Sequence, residues 1–193
     1  MKLYRLFASW NHFVVALACL AMPVCGREVA DLNDGWRFEL ADAAGGEKAG
    51  TDDSQWEKVS LPHNWGWQDA QQGRKYYRGP GWYRRELVVA KETGKRYFLK
   101  FDAASLVANI YLNGQSIGEH RGGFGAFCFE ITRELSDAGT NLLAVRVDNS
   151  QFPDLAPLEG DFSIYVGLYR SVYLISTPEE NISPTDHGSP GLV

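Results

Sequence analysis

Cysteine is scarce in this sequence. Of three cysteines among 193 residues, Cys19 and Cys25 lie in an apolar stretch at the N-terminus, so the remainder holds only Cys128. A single cysteine excludes an internal disulfide framework and a cysteine-based zinc site in that remainder. Because Cys128 lies between Phe127 and Phe129, we expect it in the interior or on a sheet surface rather than as a nucleophile.

Positive charge is also limited. The chain has 19 Lys and Arg against 24 Asp and Glu, a net charge of -5, and no basic stripe. This balance argues against a nucleic-acid partner and against binding to an anionic membrane surface. With 45% apolar and 13% aromatic residues, the chain is instead typical of one folded domain with its own core, and its partner is expected to be neutral.

The first 26 residues are typical of a secretory signal peptide. Lys2 and Arg5 precede an apolar run at 13–25, and small residues follow. The run is shorter than the roughly 20 residues that a membrane-spanning helix needs. We predict cleavage after Gly26 and export to the periplasm or the medium, so no membrane partner is expected after cleavage. A lipoprotein acylated at Cys25 is a weaker alternative.

No window predicts an amphipathic helix of normal length, and the dominant pattern has period two. Asn113-Gly114 separates two strand-like runs, which predicts a two-residue hairpin turn. Strands at intervals of about ten residues favour an all-β fold, an antiparallel β-sandwich or jelly roll. The predicted strands outside the hairpin are 83–89, 97–101, 127–131, 143–147 and 168–175.

Two segments do not fit plain strands. Residues 56–85 carry four tryptophans among glycines and prolines, and residues 149–165 form a second irregular stretch. Long irregular segments in compact domains are usually functional or disordered, and aromatic-rich segments are rarely disordered. Both segments are therefore candidates for a functional site.

Six colinear motifs resemble the N-terminal sugar-binding domain of glycoside hydrolase family 2, which includes β-galactosidases, β-glucuronidases and β-mannosidases. The resemblance covers about residues 31–176. The motifs are "LNDGWRFEL", "WEKVSLPHNW", "GPGWYRREL", "ANIYLNGQSIGEHRGGFGAFCFEIT", "NLLAVRVDNS" and "DFSIYVGLYRSVYL".

The resemblance implies a jelly-roll, galactose-binding-domain-like sandwich over residues 27–176. In full-length members an immunoglobulin-like domain and a barrel follow, and two barrel glutamates perform retaining hydrolysis of O-glycosidic bonds. Residues 177–193, rich in Pro, Ser and Gly, are expected to be a linker toward a missing second domain. We therefore nominate no catalytic residue, not even Glu179 or Glu180, and expect the chain alone to be inactive.

The resemblance also implies a role for Asp161. In β-galactosidase-like members an aspartate at this spacing before a Tyr-Arg pair holds sugar hydroxyls, in some members with a sodium ion. A carboxylate suits this role because it only accepts hydrogen bonds. Alternatively, Asp161 only stabilises its own loop. Val166 stands where the family often has glycine, which predicts a local difference in the loop backbone. No other cofactor is expected.

Aromatic residues of the first irregular segment are further candidates. Trp65, Trp67, Tyr76 and Tyr77 have the chemistry of a saccharide platform, because sugar rings pack their C–H faces on aromatic rings. We include Arg78 among the candidate substrate-binding residues. Packing in the core or between domains is the alternative for both tryptophans.

Three other tryptophans, Trp36, Trp56 and Trp82, are expected in the core. His63 is predicted to be a hydrogen-bonded loop residue rather than a metal ligand, because no second His or Cys lies at ligand spacing.

Three functional classes remain open. The chain is the sugar-binding domain of a family 2 hydrolase, a stand-alone carbohydrate-binding module, or a purely structural sandwich. In the first class, its partners are an oligosaccharide or β-glycoside substrate and the missing domains of the same protein. The sequence leaves the sugar, the linkage and the oligomeric state undetermined.

Overall fold

The computed structural model describes residues 26–75, 77–155 and 165–185. These residues form ten strands and one short helix. The elements are β1 (Glu28–Asp31), β2 (Trp36–Glu39), β3 (Glu57–Val59), α1 (Trp67–Gln71), β4 (Pro80–Val88), β5 (Lys95–Phe101), β6 (Val107–Leu112), β7 (Gln115–Arg121), β8 (Phe127–Glu130), β9 (Thr140–Asp148) and β10 (Val172–Pro178).

The strands form two antiparallel sheets. One sheet has the order β1-β10-β5-β8, and the other has the order β3-β2-β4-β9-β6-β7. The prediction of an all-β jelly-roll sandwich is confirmed. Within the described ranges, no helix is long and apolar enough to cross a membrane.

The main core lies between the two sheets, and period-two alternation predicts much of it. On β5 and β9 every second residue is apolar, and these residues are all buried in one cluster, because successive side chains of a strand point to opposite faces. They are Tyr97, Leu99, Phe101, Leu143, Val145 and Val147.

The predicted hairpin turn connects β6 and β7. Asn113 and Gly114 both have positive φ, 53° and 81°, as a type I′ turn requires. The side chain of Asn113 adds a hydrogen bond from Nδ2 to Oδ1 of Asn141, at 2.9 Å. This local sequence signal is confirmed.

The strand predicted at 168–175 is shifted in the structure. β10 begins at Val172 and continues to Pro178, so the prediction began four residues and ended three residues too early. Leu168 is fully buried, but its backbone does not join the ladder. Its N–H donates to the Tyr83 hydroxyl and its carbonyl accepts from His63, which explains the error.

The sequence pattern did not single out the short elements. β1, β2 and β3 have only three or four residues each, too few for a clear alternation. The five-residue helix α1 interrupts the segment that was predicted to be irregular. These elements matter because β2, β3 and α1 surround the candidate site.

The outer face of the six-stranded sheet is covered by residues 40–56, which we call the first connection. Arg84 points to this face and is 3% exposed. Its guanidinium donates to Asp53 Oδ2 at 2.8 Å and to the carbonyls of Gly46 and Lys48 at 2.7 and 2.8 Å. Trp56 and Trp82 pack in a second cluster on the same face. With Trp36 in the main core, all three tryptophans expected to be buried are buried.

Candidate functional site

Residues 60–79 join β3 to β4 and are called the second connection; Tyr76 lies outside its described part. Its start is fixed by the fully buried Tyr83. The Tyr83 oxygen lies 2.8 Å from His63 Nδ1 and accepts from the Leu168 N–H at 3.3 Å. The backbone N–H of His63 donates to the backbone carbonyl of Leu168 at 2.8 Å. This network joins the second connection to the segment that leads into β10.

The protonation of His63 follows from this geometry. The Tyr83 hydroxyl accepts from Leu168 and has one proton and one further lone pair, so it donates to His63 Nδ1 or accepts from it according to the histidine tautomer. Burial lowers the pKa of His63, against a smaller opposing effect of Glu57, and burial raises the pKa of Tyr83. His63 is therefore a neutral, hydrogen-bonded loop residue, as the sequence predicts.

A second set of contacts supports the same junction. Asn64 Oδ1 accepts from the backbone N–H of Gly66 at 3.0 Å and of Val166 at 3.4 Å. Gly167 has φ +90°, and a Cβ there would overlap the Tyr83 hydroxyl and lie 2.9 Å from the Trp65 ring. Only glycine fits this close approach without rearrangement.

A cavity of about 640 Å³ lies beside this junction. We call it the Trp67 cavity, because Trp67 on α1 lines it and is 59% exposed. Trp65 also lines it, but is only 9% exposed and stacks on Phe38 with ring centroids 5.5 Å apart. The polar side chains of the lining are Glu39, Gln55, Glu57, His63, Asn64 and Asp69.

The two tryptophans therefore differ in role. The Trp65 ring packs in the main core, which corresponds to the packing alternative for this residue. Trp67 presents an open aromatic surface. Identical residue types two positions apart thus have different environments, because Phe38, Tyr83 and Gly167 pack against the Trp65 ring.

The structure does not assemble all predicted site residues. Asp161 and Tyr76 lie outside the described residues. Arg78 is half-buried at the far end of the second connection and is not part of the described lining of the Trp67 cavity. Beside it, Asn149 accepts from the Gly79 N–H at 2.8 Å and donates to the Tyr77 carbonyl at 3.1 Å, which fixes this end of the connection.

The described residues contain no group of three or more His, Cys, Asp or Glu that is suited to a metal ion. Because Asp161 is outside the described residues, its predicted contact with sodium remains a prediction. Cys128 is buried, and burial raises the pKa of its thiol to about 11. A thiol that stays protonated is a poor nucleophile, which agrees with its expected interior position.

Sequence reasoning missed two carboxylates of the cavity, Glu39 and Glu57. They lie on neighbouring strands, since Phe38 of β2 pairs with Glu57 of β3. The motifs "WRFE" and "WEKV" contain both residues, but nothing local indicates that the two strands pair. The function of the Tyr83 hydroxyl was missed for a similar reason, because alternation predicts burial and not hydrogen-bond partners.

Comparison with known proteins agrees with the fold. The family model described as "Glycosyl hydrolases family 2, sugar binding domain" matches residues 29–178. A β-glucuronidase of Bacteroides fragilis is 42% identical over 163 residues, covering 83% of this chain and 22% of that protein. A β-galactosidase of Thermoanaerobacter pseudethanolicus is 36% identical over 155 residues, covering 77% of this chain and 21% of that protein.

Solved structures give the same result. The crystal structure of a Bacteroides uniformis β-glucuronidase has a TM-score of 0.79 and 42% sequence identity, covering 84% of this chain and 19% of that chain. The chain thus spans about a fifth of the length of the relatives that it matches. The matched residues include both sheets and the second connection, and on this basis the chain belongs to glycosyl hydrolases family 2, with the fold of that family's sugar binding domain.

Proposed function

We propose that this chain is the sugar-binding domain of a larger hydrolase that cleaves β-glycosides with retention of configuration. The observation that carries the proposal is the family match over residues 29–178, together with relatives named β-glucuronidase and β-galactosidase of which the matched part of this chain covers only 22% and 21%. A retaining hydrolase needs two carboxyl groups about 5–5.5 Å apart. We assign both to a barrel domain of the parent protein.

Within this proposal the domain contributes binding rather than bond cleavage. Asp161 accepts hydrogen bonds from substrate hydroxyls and contacts a sodium ion, and the support for both roles is the family resemblance alone. Residues 1–26 direct export of the protein to the periplasm or the medium. Support for export comes from the charged and apolar pattern of that stretch.

A hydrolysis assay tests whether this domain only binds substrate while the barrel domain cleaves the glycosidic bond. The full chain and the longer protein that contains it are incubated with chromogenic β-glucuronide, β-galactoside and β-mannoside. We expect turnover by the longer protein only, because acid/base and nucleophilic assistance come from the barrel. Turnover by the chain alone that disappears on mutation of one of its own residues would contradict the proposal.

The role of Asp161 is tested in the longer protein. Asp161→Asn replaces an acceptor by an amide donor and removes the charge. Loss of one charge-assisted hydrogen bond predicts a decrease of about ten- to a hundredfold in kcat/KM, with little change in Tm. If Tm falls while kinetics per folded molecule stay unchanged, Asp161 only stabilises its loop.

A further inference from the structure

The Trp67 cavity has the size of a small-molecule site. Its volume of about 640 Å³ is within the range of about 300–1,000 Å³ that is typical of ligand pockets. One wall comes from paired strands β2 and β3, and the other from the start of the second connection and from α1. The network of His63, Tyr83 and Leu168 fixes the connection beside the cavity.

An aromatic surface and hydrogen-bonding groups occur together in the lining. Trp67 is the largest exposed aromatic group there, and an exposed indole can pack on the C–H face of a sugar ring. The lining also includes an amide, Gln55, and Glu57, whose carboxylate affects the pKa of His63 and accepts hydrogen bonds from hydroxyl groups. Glu39 lines the cavity from the next strand and adds negative charge.

Trp65 contributes to the shape of the cavity rather than a hydrogen bond. It lines the same cavity but is nine-tenths buried, and its Nε1 has no accessible surface and no hydrogen-bond partner among the described residues. A ligand in the cavity does not reach this nitrogen unless the ring moves, so Trp67 is the aromatic group that the cavity leaves open.

The charge of the lining restricts the ligand. Glu39, Glu57 and Asp69 are acidic, and the described lining contains no lysine or arginine. Arg74 lies outside the lining and pairs with Asp69 at 2.7 Å. Glu39 and Glu57 have no ion pair within the described part of the chain, so an anionic ligand would meet uncompensated negative charge.

We propose that the Trp67 cavity binds a neutral, hydroxyl-rich sugar residue and rejects anionic sugars such as uronates. The inference rests on the proposed role of the chain as a sugar-binding domain, but it concerns binding and not hydrolysis. It assigns a residue and a charge preference that the family match does not supply. In a relative that cleaves glucuronides, such a cavity would suit a neutral part of the substrate.

Two matched sugars test the charge preference in the full chain. Methyl β-glucoside and methyl β-glucuronide differ only in a hydroxymethyl group against a carboxylate. By calorimetry or saturation-transfer NMR at low salt, we expect the neutral sugar to bind with a Kd of about 1–10 mM. The glucuronide should bind at least about tenfold more weakly, and higher salt should reduce this difference because it screens the repulsion.

Variants locate the binding and its charge selectivity. Trp67→Ala should weaken binding of the neutral sugar at least about tenfold, because the aromatic contact is lost. Phe124→Ala is the control, since Phe124 is similarly exposed at 51% and lies outside the described cavity lining. The double variant Glu39→Gln, Glu57→Gln should bring the two affinities within about threefold of each other.

The outcomes separate this inference from the proposed function. Equal affinity for the glucuronide, equal effects of Trp67→Ala and Phe124→Ala, or no binding of the neutral sugar at concentrations far above the millimolar range would each overturn it. Hydrolysis by the longer protein is measured separately, so it can succeed while this cavity fails to bind sugar.

Discussion

The first and second connections both pack against the six-stranded sheet, but they are stabilised in different ways. The first connection is bound along its length by one buried side chain, Arg84, which contacts Asp53 and several backbone carbonyls. The second connection is fixed at its ends, by Tyr83 at the start and by Asn149 near β4. Between these ends, Trp67 remains exposed.

This difference separates a structural loop from a candidate binding loop. In the first connection the carbonyls of Gly46 and Lys48 accept from Arg84, and Gly46 packs so tightly that a Cβ would lie 2.5 Å from the Trp82 ring. Apart from Leu40 and Gln55 near its two ends, the first connection is not part of the described lining of the Trp67 cavity. The second connection combines rigid ends with an open centre, the arrangement that a preorganised binding site needs.

Removal of the buried guanidinium is the strongest test of the comparison. Arg84→Met should lower the free energy of unfolding by about 2 to 4 kcal/mol, because it removes the buried donor of two backbone carbonyls and breaks an ion pair to the partly exposed Asp53. Urea denaturation of the full chain measures the loss. Sugar binding at the Trp67 cavity should change little in molecules that remain folded.

Arg37 is the matched control, because it pairs with the same carboxylate. Its Nε lies 3.5 Å from Asp53 Oδ1, but its side chain is partly exposed. Arg37→Met should therefore cost less than about 1 kcal/mol. Equal losses in the two variants would show that the buried position of Arg84 does not determine the stability of the first connection.

The junction of the second connection gives the next largest effect. Gly167→Ala should cost about 2 to 4 kcal/mol, since it combines a left-handed backbone with overlap against Tyr83 and Trp65. Thermal and urea unfolding measure the total cost.

Gly35→Ala separates the two contributions. Gly35 has a similar φ of +81°, but a Cβ there would meet no atom within 4 Å. This control should cost only about 1 to 2 kcal/mol, the backbone part of the effect. If both variants lose the same stability, close packing at the junction is not important.

The same contrast explains what the sequence predicts well. Alternation predicted the inward residues of β5 and β9, and Asn113-Gly114 predicted the turn, because these signals depend on near neighbours in the chain. Alternation did not predict that Trp82, Tyr83 and Arg84 are all buried in succession. Tyr83 faces the main core, but the burial of Trp82 and Arg84 requires the first connection to cover the outer face, which is a long-range property.

The candidate site was predictable only in part for the same reason. An aromatic-rich irregular segment pointed to Trp65 and Trp67, but tertiary packing distinguishes the buried ring from the exposed one, because Phe38, Tyr83 and Gly167 lie against Trp65. Glu39 and Glu57 enter the site through the pairing of two very short strands. Such pairing depends on tertiary contacts that local propensity does not encode.

The smallest expected effect is a pH dependence that originates at the junction. Burial lowers the pKa of His63 in the folded state, so the unfolded state binds more protons just below the ordinary histidine pKa of about 6.5. Its contribution to stability is complete above that pH and is lost as the pH falls toward the lower folded pKa. In the charged ring Nδ1 can only donate, so the Tyr83 oxygen would then accept from both His63 and Leu168. Urea denaturation between about pH 7.5 and pH 5.5 should therefore show decreasing stability.

Two variants identify the source of this pH dependence. Burial also lowers the pKa of His120, so His63→Gln should reduce the slope of stability against pH, and His63→Gln, His120→Gln should nearly abolish it. An unchanged slope in the double variant would exclude both histidines as its source.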